Sequence, residues 1–127
     1  MGGGEILNGE RGSVTVELFL ILPVAILVLL ASLQLIGVAR TRIELQGAAR
    51  EGARVAATTP DPARAVEAVL ASLTPETRAS ARVSVERPSR VGAMARVSVS
   101  MRHILGAPFP DSVGVDLSAS ATMRTEK

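Results

Sequence analysis

The chain has no cysteine, no tryptophan and no tyrosine, and only one histidine and two phenylalanines in 127 residues. Without a thiol, neither a disulfide framework nor a thiolate metal site can form, so stability has to come from packing. HExxH, P-loop and GxSxG patterns are also missing, which removes the usual parts of metal and nucleophile catalysis. His103 lies near Asp111 and Ser112 in sequence, but in a Pro-rich stretch without a strained elbow it reads as a surface histidine in a loop. Gly2-Gly3-Gly4 is not a phosphate loop, because no strand precedes it and no Lys-Ser/Thr follows. The sequence therefore reads as a non-enzyme with no metal and no cofactor.

A basic run is absent too. The sequence pI of about 10.4 comes from arginines that do not deprotonate, while 14 Lys+Arg against 12 Asp+Glu leave a net charge of only +2. Those arginines are scattered from Arg11 to Arg124, and aromatics make up 2% of the chain, too few to stack on bases. Nucleic acid is excluded as a partner on this footprint.

What is abundant is aliphatic sequence, and much of it lies in one place. Residues 18–39, LFLILPVAILVLLASLQLIGVA, carry no charge and match the roughly 20 helical residues that cross a bilayer core. Fifteen of these positions are Leu, Ile, Val or Phe. At the helix centre such residues contribute together roughly −4.5 to −9 kcal/mol toward insertion, which Pro23 and Gln34 do not cancel. A helix apolar on every side is either buried or in a membrane, and the remainder of this short chain is too small to wrap it. Met1 to Ile6 lacks the Ser or Thr of a myristoylation signal. An ordinary secretory signal fits poorly, because Glu5 and Glu10 outnumber Arg11 and the apolar run is long. Gly37-Val38-Ala39 is a small-x-small site that suits a leader peptidase, and cleavage there would release a secreted protein.

Before the run stands Glu10-Arg11-Gly12-Ser13-Val14-Thr15-Val16-Glu17-Leu18-Phe19. It resembles a class III, prepilin-type signal, in which a dedicated peptidase cuts after the glycine on the cytoplasmic side. That resemblance implies processing between Gly12 and Ser13, with Glu17 as the fifth residue of the mature chain. Ser13 and Glu17 are i and i+4, so a freed ammonium and the carboxylate share a helix face and can neutralise each other within or between subunits. A carboxylate at the edge of a bilayer core needs such a partner, unless it reaches the headgroups instead. The pattern continues through Leu22-Pro23, the apolar run and the AAREGAR of residues 48–54. Residues 11–57 together resemble the TadE-type domain of the tight-adherence (Flp) pilus system. Glu17-Leu18-Phe19, where major pilins of that system carry Glu-Tyr, is similar to the minor, TadE-like members.

Orientation is read two ways. Arg11 is the only basic side chain before the span, whereas Arg40, Arg42, Arg50 and Arg54 follow it, so the positive-inside count places the C-terminus in the cytoplasm. The prepilin resemblance implies the opposite, because the peptidase reaches Gly12 only from the cytoplasmic side. We follow the resemblance.

Residues 40–57 are rich in helix formers and lack Pro, so one helix is expected from about Ser13 to Ala57. Ala48, Gly52 and Ala56 form one stripe of small residues and Ala49, Ala53 and Ala57 the next. Such stripes allow close packing, either under this chain's own sheet or against another subunit. Asp61 reads as an N-cap with Pro62 at the first helical position. Val66, Val69, Leu70 and Leu73 then give one apolar face up to Thr74-Pro75. Residues 82–86, 95–102 and 115–124 alternate with period two, as in a half-buried antiparallel sheet whose apolar face the 62–73 helix is expected to cover. The closing SASATMRTE also resembles the ends of TadE-like chains.

The expected fold class is α+β: a prepilin-type leader at 1–12, a long helix at 13–57 and a small extracytoplasmic domain at 58–127 that joins a short helix to a three-stranded sheet. The expected function is that of a TadE-like minor pilin or pseudopilin in the cytoplasmic membrane. Its implied partners are a prepilin peptidase, other pilin or pseudopilin subunits and the pilus assembly platform. The alternative is a single-pass anchor whose domain binds an envelope ligand.

Overall fold

The computed structural model describes residues 2–126, with side chains from Gly12 onward. The elements are α1 (Gly2–Thr58), α2 (Pro62–Ala71), α3 (Pro75–Ser80), β1 (Arg82–Glu86), β2 (Met94–Ile104) and β3 (Gly114–Arg124). This is the α+β architecture that the patterning implies.

α1 contains 57 residues and at 1.5 Å per residue extends about 85 Å. It starts earlier than Ser13, because no proline precedes Pro23 and glycines weaken a helix by about 1 kcal/mol each without breaking it. Pro23 lies inside the helix, where it removes one backbone donor. The helix has two environments. Every residue from Gly12 to Leu29 is exposed, whereas Thr41, Leu45, Ala48, Ala49, Gly52, Ala53, Ala56 and Ala57 are buried. The buried positions recur at three- and four-residue spacing, which makes a single face.

That face meets the sheet. The strands run antiparallel in the order β1-β2-β3, with Val85 opposite Val97 and Val97 opposite Ala121. Ala95, Val97 and Val99 of β2 and Leu117 and Ala119 of β3 point inward onto the helix, and Leu45, Val69, Val97 and Val99 are the largest fully buried side chains. A core without aromatics is thin, so backbones have to approach closely to fill it. Gly52 shows how closely: a Cβ placed there would meet Val97 Cγ1 at 3.0 Å and collide with Val69 Cγ2.

The cover of the sheet differs from expectation. The second half of α1 packs on β2 and β3, while α2 packs chiefly on α1 and reaches the sheet at β1. The continuous Ala-rich face of α1 offers a longer and flatter surface than ten-residue α2, so it takes the sheet and α2 fills the flank. α2 is capped as read from the sequence, with the Asp61 carboxylate accepting from Ala63 N–H at 3.0 Å.

The chain does not leave helical structure at Thr74-Pro75 but begins α3 there. Glu44 of α1 accepts hydrogen bonds from Thr74 N–H and from the Thr77 hydroxyl. The Arg78 guanidinium donates back to the carbonyls of Leu70 at 2.8 Å and Leu73 at 3.1 Å, which caps the C-terminal end of α2. At the end of α1, Arg87 Nε donates to Ala56 O at 2.7 Å and Glu126 N–H to Ala57 O at 3.0 Å. The helix terminus and the last strand are thereby fastened together. Gly92 in the β1–β2 connection has φ of +88°, a left-handed conformation that favours glycine.

Candidate functional site along the long helix

The expected processing junction and Glu17 lie on the uncovered part of α1. A Cβ added to Gly12 would meet nothing within 4 Å, so the junction is sterically open. Ser13 and Glu17 are exposed and one turn apart on one face. Among the described residues the one ion pair is Arg54–Glu51, at 2.6 Å. Arg54 beside Glu51, chiefly through its hydrogen bond, holds that carboxyl below the usual carboxylate range.

The hydrophobic run that follows remains bare. Val14, Val16, Leu18, Phe19, Leu20 and Ile21 are each more than half exposed. Among the described residues α1 is the one helix long and apolar enough to cross a membrane, and none of its most apolar window is buried inside the chain. Monomeric soluble domains rarely expose so long an apolar surface, and either lipid or neighbouring helices would remove its cost.

Ala48, Gly52 and Ala56 are placed elsewhere. From Glu17 to Ala48 the helix rises about 46 Å, so the structure does not bring the stripe and the junction together. All three small residues are buried inside the chain's own domain, where Gly52 admits Val69 of α2 and Val97 of β2. The neighbouring stripe of Ala49, Ala53 and Ala57 is buried as well. The outer face at the same level, with Ile43, Gly47, Arg50 and Arg54, remains exposed.

His103 is not in a loop. It extends β2 opposite Val115 and is half-buried on the face toward α1, where a Cβ on Gly37 would lie 3.8 Å from its Nε2. The strand is longer than its apolar alternation because its pairing with β3 continues through the polar residues Arg102 and His103. Asp111 and Ser112 lie in the exposed β2–β3 connection.

The residue whose role the sequence concealed is Gln34, a lone amide within the uncharged run. Its side chain accepts from Gly106 N–H at 3.1 Å and donates to Ala107 O at 3.2 Å, tying the β2–β3 connection to the helix. The signal was the pairing of one polar side chain in an apolar helix with a Gly-Ala-Pro loop 72 residues away, and nothing local connects the two.

No curated protein and no solved structure matches the chain. Residues 12–54, from the open glycine through the small-residue stripe, match the family of TadE-like proteins, which is the family that the sequence resembles.

Proposed function

We propose that this protein is a minor pilin or pseudopilin that acts in assembly of a tight-adherence (Flp-type) pilus. One observation carries the reading. α1 is bare from Gly12 to Leu29 and uncharged and apolar from Leu18 onward, and the same helix continues as the structural spine of a small domain. A helix built this way can be held in lipid before assembly and packed against like helices afterwards, since either environment removes its apolar surface from water. The match over residues 12–54 supports the same assignment. In this reading a prepilin peptidase cuts after Gly12, and the domain stands outside the cytoplasm. The new Ser13 ammonium and the Glu17 carboxylate neutralise each other within or between subunits.

Intact mass and N-terminal sequencing of the protein purified from membranes of its native host test the proposal. A chain starting at Ser13 is the expected result. A chain starting at Met1 would mean an uncleaved anchor and would overturn the processing step, while a chain found in the medium without the apolar run would overturn the membrane assignment.

A further inference from the structure

The β2–β3 connection, residues 105–113, is clamped to α1 at the level where protein cover of the helix begins. Residues 12–29 are exposed, Leu30 and Ala31 are half-buried, and Gln34 holds the backbone of Gly106 and Ala107. A Cβ on Gly106 would come within 2.9 Å of Gln34 Nε2, so glycine is what lets the loop come this close.

The loop is suited to a place with little water. Its side chains include Leu105, Ala107, Pro108, Phe109, Pro110 and Val113, and Phe109 and Val113 remain 38% and 36% exposed. Four of its seven backbone N–H groups have partners among the described residues. Leu105 N–H donates to Val113 O, Phe109 N–H to Gly106 O and Val113 N–H to Pro110 O, while Gly106 N–H goes to Gln34. Pro108 and Pro110 have no N–H to satisfy. Irregular backbone is excluded from lipid mainly by unpaired donors and acceptors; here the donors left over are Ala107, Asp111 and Ser112, which a seat at the boundary rather than in the core leaves within reach of headgroups and water.

A bilayer core of about 30 Å takes about 20 helical residues. Counted from Ser13, the core ends near Ser32, less than a turn before Gln34. Counted from Leu18, it ends near Gly37, and the loop would lie deeper still. Asp111 and the Arg102 guanidinium, whose Nη2 donates to Ser112 O at 3.5 Å, favour the shallower register, because charge in the core is costly. Exposed Arg40 and Arg42 then stand about 9 and 12 Å beyond Gln34 along the helix, at the height of the headgroups.

We propose that the 105–113 loop is a membrane-seated foot, which dips Phe109 and its apolar neighbours into the acyl–headgroup boundary of the bilayer that α1 spans. Lipid is the occupant because the loop is clamped at Gln34, five residues beyond Leu29, where the fully exposed stretch of the helix ends. The foot sets the depth of α1. With Gln34 at one boundary, Glu17 lies about 26 Å below it, just inside the opposite edge of a core about 30 Å thick.

The inference rests on α1 spanning a membrane, and its test separates the two. The chain has no Trp, so Phe109→Trp, Leu27→Trp and Val91→Trp each give a single fluorophore in the foot, in the span and at the opposite end of the sheet. The full chain is reconstituted in phosphatidylcholine vesicles with acyl chains brominated near the headgroup or deep in the core. Phe109→Trp is expected to be blue-shifted relative to Val91→Trp and quenched most by the shallow bromine, with Leu27→Trp quenched most by the deep one. An unquenched Phe109→Trp beside a quenched Leu27→Trp would overturn the foot, whether water or a second copy covers the loop. An unquenched Leu27→Trp would overturn the membrane reading itself. A water-soluble maleimide labelling Phe109→Cys as fast as Val91→Cys in vesicles would likewise overturn the foot, free of any preference of Trp for interfaces.

Discussion

Replacing Gly52 by alanine tests the packing of this domain at its tightest point. The added methyl would lie 3.0 Å from Val97 Cγ1 and collide with Val69 Cγ2. Both neighbours are β-branched and stiff at χ1, and both are fully buried, so neither turns away without disturbing α2 or the sheet. Overpacking of this kind costs about 1–3 kcal/mol. Against it works the gain of roughly 0.5–1 kcal/mol for exchanging glycine for alanine in a helix. Gly47 isolates that gain, since it is exposed on the same helix and a Cβ there meets nothing within 4 Å. The propensity effect is shared, so the difference between Gly52→Ala and Gly47→Ala reports the collision alone. For a domain of 60–100 residues, about 1–3 kcal/mol corresponds to a gap in Tm of at least roughly 4 °C. Near-ultraviolet dichroism has no Trp or Tyr to report on. The melting of the full chain in detergent is therefore followed by calorimetry and by the onset of tryptic cleavage. Gly47→Ala is expected to melt above the parent and Gly52→Ala below Gly47→Ala. Equal melting of the two variants would refute the claim that α1, α2 and β2 are in contact at Gly52.

Glu17→Ala is expected to abolish pilus assembly in a host that depends on this protein while leaving its amount in the membrane unchanged; normal pilus numbers would refute the role given to this carboxylate. Thr125 has a buried hydroxyl with no hydrogen-bond partner among the described residues. Thr125→Val, which keeps the shape, is thus expected to leave Tm unchanged or raise it, with a gain of up to about 1 kcal/mol; a clear fall in Tm would show that the oxygen is satisfied. The Glu51 carboxyl is held below its ordinary range by Arg54, so its contribution is present above the unfolded carboxylate range and lost as pH falls through the folded value. Glu51→Gln should flatten that acid limb slightly and lower stability near neutral pH by an equally small amount, because the pair is open to solvent; acid titrations of Tm check this.

Much of the fold is legible in the sequence where a single residue or a short period carries the information. The period-two alternation of residues 82–86, 95–102 and 115–124 gives the three strands, because a sheet with one buried face has to sort its side chains that way. Asp61-Pro62 announces α2 because a cap and a ring with fixed φ act locally. Thr74-Pro75-Glu76 carries the same kind of start signal for α3, but it is short, and its hold depends on Glu44 reaching in from α1 and on its own Arg78 reaching back to the end of α2.

For the candidate site, the apolar run, the Gly12–Ser13 junction and the position of Glu17 one turn beyond it are properties of sequence alone, since charge, length and helical phase need no tertiary partner. Two matters were decided only by the tertiary structure. The small-residue face of α1 is compatible with any close-packed neighbour, and it is the folded domain that fills it with Val69, Val97 and Val99. The outer limit of the bare helix is likewise invisible in an uncharged run that continues to Ala39. Cover begins on one face at Leu30 to Gln34, where a loop from the other end of the chain folds back and places its backbone on one half-buried amide, while Leu33, Leu35 and Ile36 stay exposed.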